Sequence, residues 1–359
     1  IGKPRFSCHV HPFIMEATKV AILGGSGYTG MELVRLLLGH PAAQITAATS
    51  RSNAGRRIEE VFPRFSQLPG SQLPFIEPDM EAVVASGATI AFLALPHGAA
   101  AQYATALLEK GLRVIDLSAD FRLREAATYE GFYGETHPAP DLLATAVYGL
   151  PEVHGEAIAA ARLVASPGCY PTSILLPLIP LLREGLIDPA TIVANSLSGV
   201  SGAGRKADLA LLFVECNESM RAYGLPRHRH LSEIEQELSA AARKSVTITF
   251  VPHLIPVNNG ICTTTTAMLQ GDLASVEHAL RSTYENSSFV RLLGTGACPD
   301  TKNVTHTNFI DIGWQHDERT GRLLLLSAED NLGKGAAGQA LQSFNIMTGL
   351  PDMTGLETV

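Results

Sequence analysis

Pro167-Gly168-Cys169-Tyr170-Pro171-Thr172 sets one cysteine in a turn framed by glycine and proline, between two apolar stretches. Residues 162–165 read as a short buried strand, and the run beginning at Ser173 opens an apolar helix. A thiol at such a place faces unpaired backbone N–H groups and the positive end of the helix dipole. Both favour thiolate, so the expected pKa of Cys169 lies below the free value of about 8.5. The same residue read alone is a small core hydrophobe. A nucleophile needs a proton acceptor, and the rest of the chain decides between the two readings.

The acceptor is offered by Arg227-His228-Arg229-His230. Ser232 and Glu235 fit the S-x-x-E capping pattern, which starts a helix there and leaves His230 just ahead of it. A positive helix end and flanking arginines oppose a further positive charge. The imidazole then stays neutral near pH 7, able to take the thiol proton or to return one after charging. Two other readings of this loop stay open: a pair of surface histidines, or a metal site in which His228 and His230 join Cys216 or Glu233. For the metal, the sequence has no second Cys or His cluster at zinc-finger spacing.

The elements that must position these groups begin with an apolar strand at 19–23, a glycine-rich turn and a helix over 31–38 with Met31, Val34 and Leu38 on one face. Gly24-x-x-Gly27-x-x-Gly30 between strand and helix is a variant of the dinucleotide fingerprint. It makes Gly24, Ser26, Gly27, Tyr28, Thr29 and Gly30 candidate cofactor contacts. The second strand, 44–49, is not followed by the acidic residue that holds a ribose 2′-hydroxyl in NAD enzymes. Ser50, Arg51 and Ser52 stand there instead, a cation and two hydroxyls suited to a 2′-phosphate, so the expected cofactor is NADP(H). Further strands at 89–95 and 113–117, separated by a helix over 99–110, make a parallel βαβ series. Ser118-Ala119-Asp120-Phe121-Arg122 follows the last of these strands, on the edge where open α/β sheets bind ligands. Arg122 is a candidate substrate contact there, with a loop ion pair between Asp120 and Arg122 as the plainer alternative. His97 and Gly98 share that edge.

Near Ser166 the pattern changes to longer strands. The stretches 246–257 and 261–269 flank Asn258-Asn259-Gly260, and 308–315 and 322–327 flank a second turn, so both pairs read as antiparallel hairpins. Ser198-Gly199-Val200-Ser201-Gly202-Ala203-Gly204-Arg205 follows a strand at 191–197. Its backbone N–H groups suit a phosphate or a nicotinamide, with Ser201 and Gly202 as cofactor candidates and Arg205 as a substrate candidate. Ala203 stands where a serine-hydrolase elbow needs glycine. Asn331 is a further cofactor candidate, ahead of an amphipathic helix carrying Ala337, Ala340, Leu341 and Phe344. The expected architecture is α/β: an extension over 1–18, a Rossmann-type parallel-sheet domain over 19–165 completed by 330–359, and an α+β substrate domain with a mixed or antiparallel sheet over 166–329.

A chain of 359 residues with 46% hydrophobic and 17% charged content has enough apolar material for two domains. A net charge of −8 excludes an electrostatic nucleic-acid footprint and attraction to an acidic membrane surface. Five cysteines without a repeating spacing make no disulfide framework, which places the chain in the cytoplasm, and no apolar run reaches the roughly 18 residues of a membrane span.

Taken in order, Gly24-Gly25-Ser26-Gly27-Tyr28-Thr29-Gly30, Ser118 to Arg122, Pro167 to Thr172, Ser198 to Arg205 and His228-Arg229-His230 resemble the motif set of the N-acetyl-γ-glutamyl-phosphate reductases of arginine biosynthesis. The resemblance runs from about Lys19 to the C-terminus. It implies a thioester on Cys169, acid/base work by His230, NADP on the first glycine motif, and substrate contacts at Arg122, Arg205, His228 and Glu233. It also implies the fold of the aspartate-semialdehyde and glyceraldehyde-phosphate dehydrogenases, a last helix packed on the nucleotide domain, and a homodimer or homotetramer. Leu231-Ser232-Glu233 departs from relatives that carry proline before the glutamate. Two alternatives remain: a reductase of the one-carbon-longer N-acetyl-aminoadipyl phosphate of lysine biosynthesis, and a non-enzymatic NADP-binding sensor in which Cys169 and His230 need not meet.

Overall fold

The computed structural model describes residues 16–205 and 207–357, so most of the expected extension lies outside the described residues. The first sheet comprises β1 (Thr18–Leu23), β2 (Ala43–Thr49), β3 (Phe75–Ile76), β4 (Ile90–Leu93), β5 (Arg113–Asp116), β6 (Val147–Tyr148) and β7 (Leu163–Ala165). They are all parallel, in the order β3-β2-β1-β4-β5-β7-β6. A parallel strand buried on both faces needs apolar residues at every position, and β1 shows it. Val20 and Ile22 point into a core shared with Leu33, Val34 and Leu37 of the Tyr28–Leu38 helix and with Leu341 and Phe344 of the C-terminal Gly338–Thr348 helix. Ala21 and Leu23 point the other way, onto Ala104 and Leu107 of the Ala100–Glu109 helix. The strand order reverses between β1 and β4, and that switch point opens a crevice at their carboxyl ends.

The second sheet is mixed. Its strands are β8 (Ile187–Gly199), β9 (Arg221–Ala222), β10 (Thr249–Ile255), β11 (Ile261–Leu269), β12 (Val290–Thr295), β13 (Ile310–Asp317) and β14 (Arg322–Glu329), in the order β12-β13-β14-β11-β8-β10-β9. The β13–β14 hairpin forms as its turn residues predict. The hairpin expected around Asn258-Asn259-Gly260 does not: β10 pairs parallel with β8, and β11 pairs antiparallel with the other edge of β8. The connection arches over the end of β8, where Gly199 and Ser201 donate to the carbonyls of Gly260 and Asn258. A short Asn-Gly signal reports a reversal of direction, and the partner strand is chosen by pairing far away in sequence.

One face of this sheet is covered by the Cys169–Arg183 helix, with the His230–Ala242 and Leu273–Tyr284 helices beside it. Thirteen of the fifteen residues of the Cys169–Arg183 helix are buried, including both internal prolines. Two of these helices start earlier than their sequence patterns suggest, as does the Tyr28–Leu38 helix, expected over 31–38. The first begins at Cys169 itself, because Gly168 takes the extended cap conformation and Pro171, in the first turn, has no N–H to leave unpaired. The second begins at His230, where Ser232 Oγ donates to the Arg229 carbonyl and makes no cap of the expected kind.

Candidate active site

A cleft of about 490 Å³ lies between the switch point of the first sheet and the starts of the Cys169–Arg183 and His230–Ala242 helices. On its first-sheet side, Gly24 has φ +87°, and a methyl group added to it would collide with the carbonyl of Ala94 on the neighbouring crossing. A methyl on Gly30 would strike Gly24 in turn, so these two glycines let turn, helix and sheet close up. Gly27 differs. It caps the helix with no side-chain bond, and the nearest atom to an added methyl is the Gly24 carbonyl oxygen at 3.8 Å. The first N–H groups of that helix therefore open into the cleft, a cradle that fits a dinucleotide pyrophosphate. The hydroxyls of Ser26 and Ser50 meet at 2.8 Å, tying this turn to the end of β2, where Ser52 also reaches Ser50 and Arg51 is exposed. Ser50, Arg51 and Ser52 flank the glycine turn and do not line the cleft.

Opposite this turn, the Val200–Ala203 segment and Arg205 close the cleft. Arg205 Nη1 donates to the Ser26 carbonyl at 3.0 Å, from one sheet's loops to the other's. Asn331 fixes the segment, donating to Ser201 Oγ at 2.8 Å and accepting from Gly260 N at 2.9 Å. Gly202 lies between Ser198 Oγ and the Asn331 amide.

The thiol and the imidazole converge at the far end. Cys169 is the first residue of its helix, and Gly168 before it touches His230: a methyl on Gly168 would lie 2.5 Å from Nε2. Gly335 also packs close to the cysteine, its added methyl 2.9 Å from Cys169 Cβ. Cys169 is partly open to the cleft, yet burial pushes its thiol up to about 12, with Glu329 adding to the rise and Arg122 and the Tyr170 N–H opposing it. This reverses the expected lowering, because desolvation outweighs the helix end. His230 is held well below the usual histidine range, first by burial and then by His228, Arg122 and Arg229. It is neutral as expected, mainly because it is buried. Its Nδ1 is buried with no hydrogen-bond partner among the described residues.

The remaining candidates sit around this pair in different roles. His228 does not line the cleft; its ring lies 4.9 Å from that of His230, packed on Tyr170, Tyr223 and Phe250, and burial with Arg229 lowers its pKa to about 4. Arg122 lines the cleft but is largely committed, donating to the Ser166 and Leu117 carbonyls and to Glu233 at 3.0 Å. Glu233 is buried behind the site and accepts from Arg122, from Tyr148 Oη at 2.8 Å and from Gly168 N at 3.1 Å. It fixes the cysteine turn to the histidine helix. Asp120 makes no pair with Arg122; it accepts from Gly98 N and Ala101 N at the start of the Ala100–Glu109 helix. Among the described residues no three His, Cys, Asp or Glu side chains group as metal ligands. Tyr148 and Glu329 carry no recognisable local pattern in the sequence, and only their contacts reveal them.

A parallel sheet with an open glycine turn, facing a mixed-sheet unit that presents a cysteine and a histidine, defines the semialdehyde dehydrogenase class. The family described as semialdehyde dehydrogenase, NAD binding domain, matches residues 19–161, and that described as semialdehyde dehydrogenase, dimerisation domain, matches residues 169–331. The fold is that of aspartate semialdehyde dehydrogenase II from Vibrio cholerae, solved with ASA (TM-score 0.70, 18% identity, 93% of this chain and 99% of that one). It is equally that of aspartate semialdehyde dehydrogenase from Candida albicans, solved with NADP (TM-score 0.69, 16% identity, with the same coverage). Nearer relatives are the N-acetyl-γ-glutamyl-phosphate reductases of Akkermansia muciniphila, 60% identical over 95% of this chain and 99% of that protein, and of Geotalea daltonii, 49% identical over 95% and 98%. The chain belongs to the N-acetyl-γ-glutamyl-phosphate reductase family. Neither the aminoadipyl reading nor the sensor reading is favoured by these relatives.

Proposed function

We propose that the chain reduces N-acetyl-γ-glutamyl phosphate with NADPH to N-acetylglutamate semialdehyde and phosphate in arginine biosynthesis, through a thioester on Cys169. The observation that supports this is the packing of the His230 ring against Gly168, the residue before Cys169, at one end of the cleft whose other end is the open turn at Gly27.

Because the Cys169 thiol resists ionisation, its proton leaves as sulfur bonds to the acyl carbon, and the neutral His230 beside it is the acceptor. Phosphate departs as the thioester forms. Gly24, Ser26, Gly27, Tyr28, Thr29, Gly30, Ser201, Gly202 and Asn331 would hold NADPH, with Ser50, Arg51 and Ser52 available to its 2′-phosphate, and the bound cofactor would supply the hydride. His230, charged by the first proton, returns it to the thiohemiacetal oxygen, while N–H groups at the start of the Cys169 helix offset the developing oxyanion. The low basicity of His230 in this buried, arginine-flanked position makes it a ready donor in that second role. Collapse of the adduct frees the aldehyde and regenerates the thiol. Around the substrate, Arg122 and Arg205 supply positive charge, His228 backs His230, and Glu233 holds the Gly168 N–H in place.

The enzyme works as a homodimer or homotetramer in the cytoplasm. The dimerisation-domain match supports the first, and the absence of any long apolar helix among the described residues accords with the second. Steady-state kinetics with N-acetyl-glutamyl and N-acetyl-aminoadipyl phosphates test the reading. The glutamyl substrate should give the higher kcat/KM. His230→Asn should cut kcat by roughly 10²–10⁴ without changing NADPH affinity, and His228→Asn by much less. Preference for the longer substrate, or equal loss in the two histidine variants, refutes the assignment.

A further inference from the structure

An acyl phosphate brings a phosphoryl dianion to the thiol, and charge on it grows as the carbon–oxygen bond breaks, so a cation is needed at that spot. Three arginines line the cleft. Arg122 is almost wholly buried and already carries the Glu233 carboxylate and two carbonyls. Arg205 is engaged with the Ser26 carbonyl at the glycine turn. Arg229 is different. It is exposed and touches no carboxylate or carbonyl through its side chain among the described residues; its partner is His97, whose Nδ1 lies 3.4 Å from Nη1. It also directly precedes His230, at the uncapped start of the 13-residue His230–Ala242 helix, where an anion gains from the dipole as well.

His97 is placed to aim that guanidinium. It follows β4 on the first-sheet side of the cleft; its neighbour Gly98, at φ +79°, is fixed by an N–H bond to Asp120 at 2.7 Å, and its ring leans on Tyr133 with centroids 5.5 Å apart. The contact with Arg229 thus crosses the mouth of the cleft from one sheet's loops to the other's.

From this arrangement we infer that Arg229 receives the phosphoryl group of the substrate and that His97 is the positioning residue that holds its guanidinium over the cleft. The inference rests on the reductase reading and adds to it the cation that reads the leaving group.

The reverse reaction separates the contacts, because inorganic phosphate is then a free substrate. In Arg229→Ala the KM for phosphate should rise about 10- to 150-fold, the range for a lost hydrogen bond to a charged group, while the KM values for semialdehyde and NADP stay within about twofold. Arg229→Lys should recover part of the loss. His97→Ala should raise the phosphate KM by less, and should add little when combined with Arg229→Ala, since a positioning residue has nothing left to position. Calorimetric titration of inorganic phosphate into the NADP-loaded protein reads the same contact without turnover. An unchanged phosphate KM and binding constant in Arg229→Ala would overturn the inference; so would a rise confined to the semialdehyde KM, which would make Arg229 a reader of the substrate carboxylate. A wild-type enzyme that binds phosphate through Arg229 yet turns over neither acyl phosphate would sink the reductase reading alone.

Discussion

Two helices begin on this cleft in almost the same way. Gly27 and Gly168 each follow a strand of the first sheet, take nearly the same extended cap conformation (φ −72°, ψ 172° and φ −70°, ψ 160°) and lack a side-chain cap. What stands in front of them differs. Gly27 looks into open space, and the residue after it, Tyr28, is exposed; Gly168 is closed off by the His230 ring, and the residue after it is a desolvated thiol. In the proposed reaction, one backbone device therefore serves as an anion cradle where it is open and as a nucleophile seat where it is plugged. Magnitudes explain the reversal at Cys169. A helix end is worth about 0.3–1 kcal/mol and at most about 2, whereas a thiol raised from 9.0 to about 12 is opposed by roughly 4 kcal/mol.

The sharpest break in this comparison is at the plugged end. Cys169→Ser should lower kcat on the order of 10⁴–10⁶ while NADPH still binds at the other helix. Retained turnover, or alkylation that lands on Cys216 or Cys262, would remove Cys169 from the mechanism. In the resting enzyme the thiol stays protonated until the pH nears 12, so iodoacetamide labelling of Cys169 should accelerate about tenfold per pH unit from 7 to 11. A plateau below pH 9 would mean that the helix end wins over burial.

Gly168→Ala tests the plug itself. The backbone angles suit alanine, so the effect comes from its methyl, which falls 2.5 Å from His230 Nε2 and 2.8 Å from two ring carbons. The ring is backed by His228 and Tyr170 and has little room to retreat. A displaced imidazole should cost about 10²-fold in kcat with NADPH affinity unchanged. Wild-type kcat in this variant would mean that His230 need not touch the cysteine turn.

The sequence made the open end more legible than the plugged one. Gly24, Gly27 and Gly30 act within one turn, so their spacing alone describes the cradle, and the continuous apolar run of β1 declares a strand covered on both faces. At the plugged end the residue types were readable, Cys169 in its turn and His230 after two arginines, but the approach of the His230 ring to Gly168 is a tertiary fact. It depends on Glu233, which joins the Gly168 N–H to Arg122 and Tyr148 across 65, 111 and 85 residues. Burial of the thiol and the position of β8 between β10 and β11 have the same origin, packing between distant segments that local patterns do not record.

A smaller effect is expected where the cradle meets the ribose. Arg51 is exposed at the end of β2, beside the Ser26–Ser50 contact. Arg51→Ala should weaken NADPH by about 1.5–3 kcal/mol and leave NADH nearly unchanged, as for a lost bond to a charged phosphate. Equal losses for both cofactors would assign Arg51 to loop support.

The mildest change is Gly27→Ala, made at the same cap position as Gly168→Ala. Its φ of −72° is open to alanine, and the added methyl meets nothing nearer than the Gly24 carbonyl oxygen at 3.8 Å, so no atom of the protein must move. The gain from a stiffer unfolded chain and the loss of glycine at a cap are each a fraction of a kcal/mol up to about 1, and they oppose each other. Thermal unfolding should therefore stay close to wild type. The methyl does enter the space through which a pyrophosphate would approach the helix N–H groups, and the KM for NADPH should rise on the order of tenfold, about 1.4 kcal/mol, with kcat at saturation little changed. A protein that folds normally and binds NADPH as tightly as wild type would show that the pyrophosphate does not lie over Gly27, and the likeness between the two helix starts would end at their backbone angles.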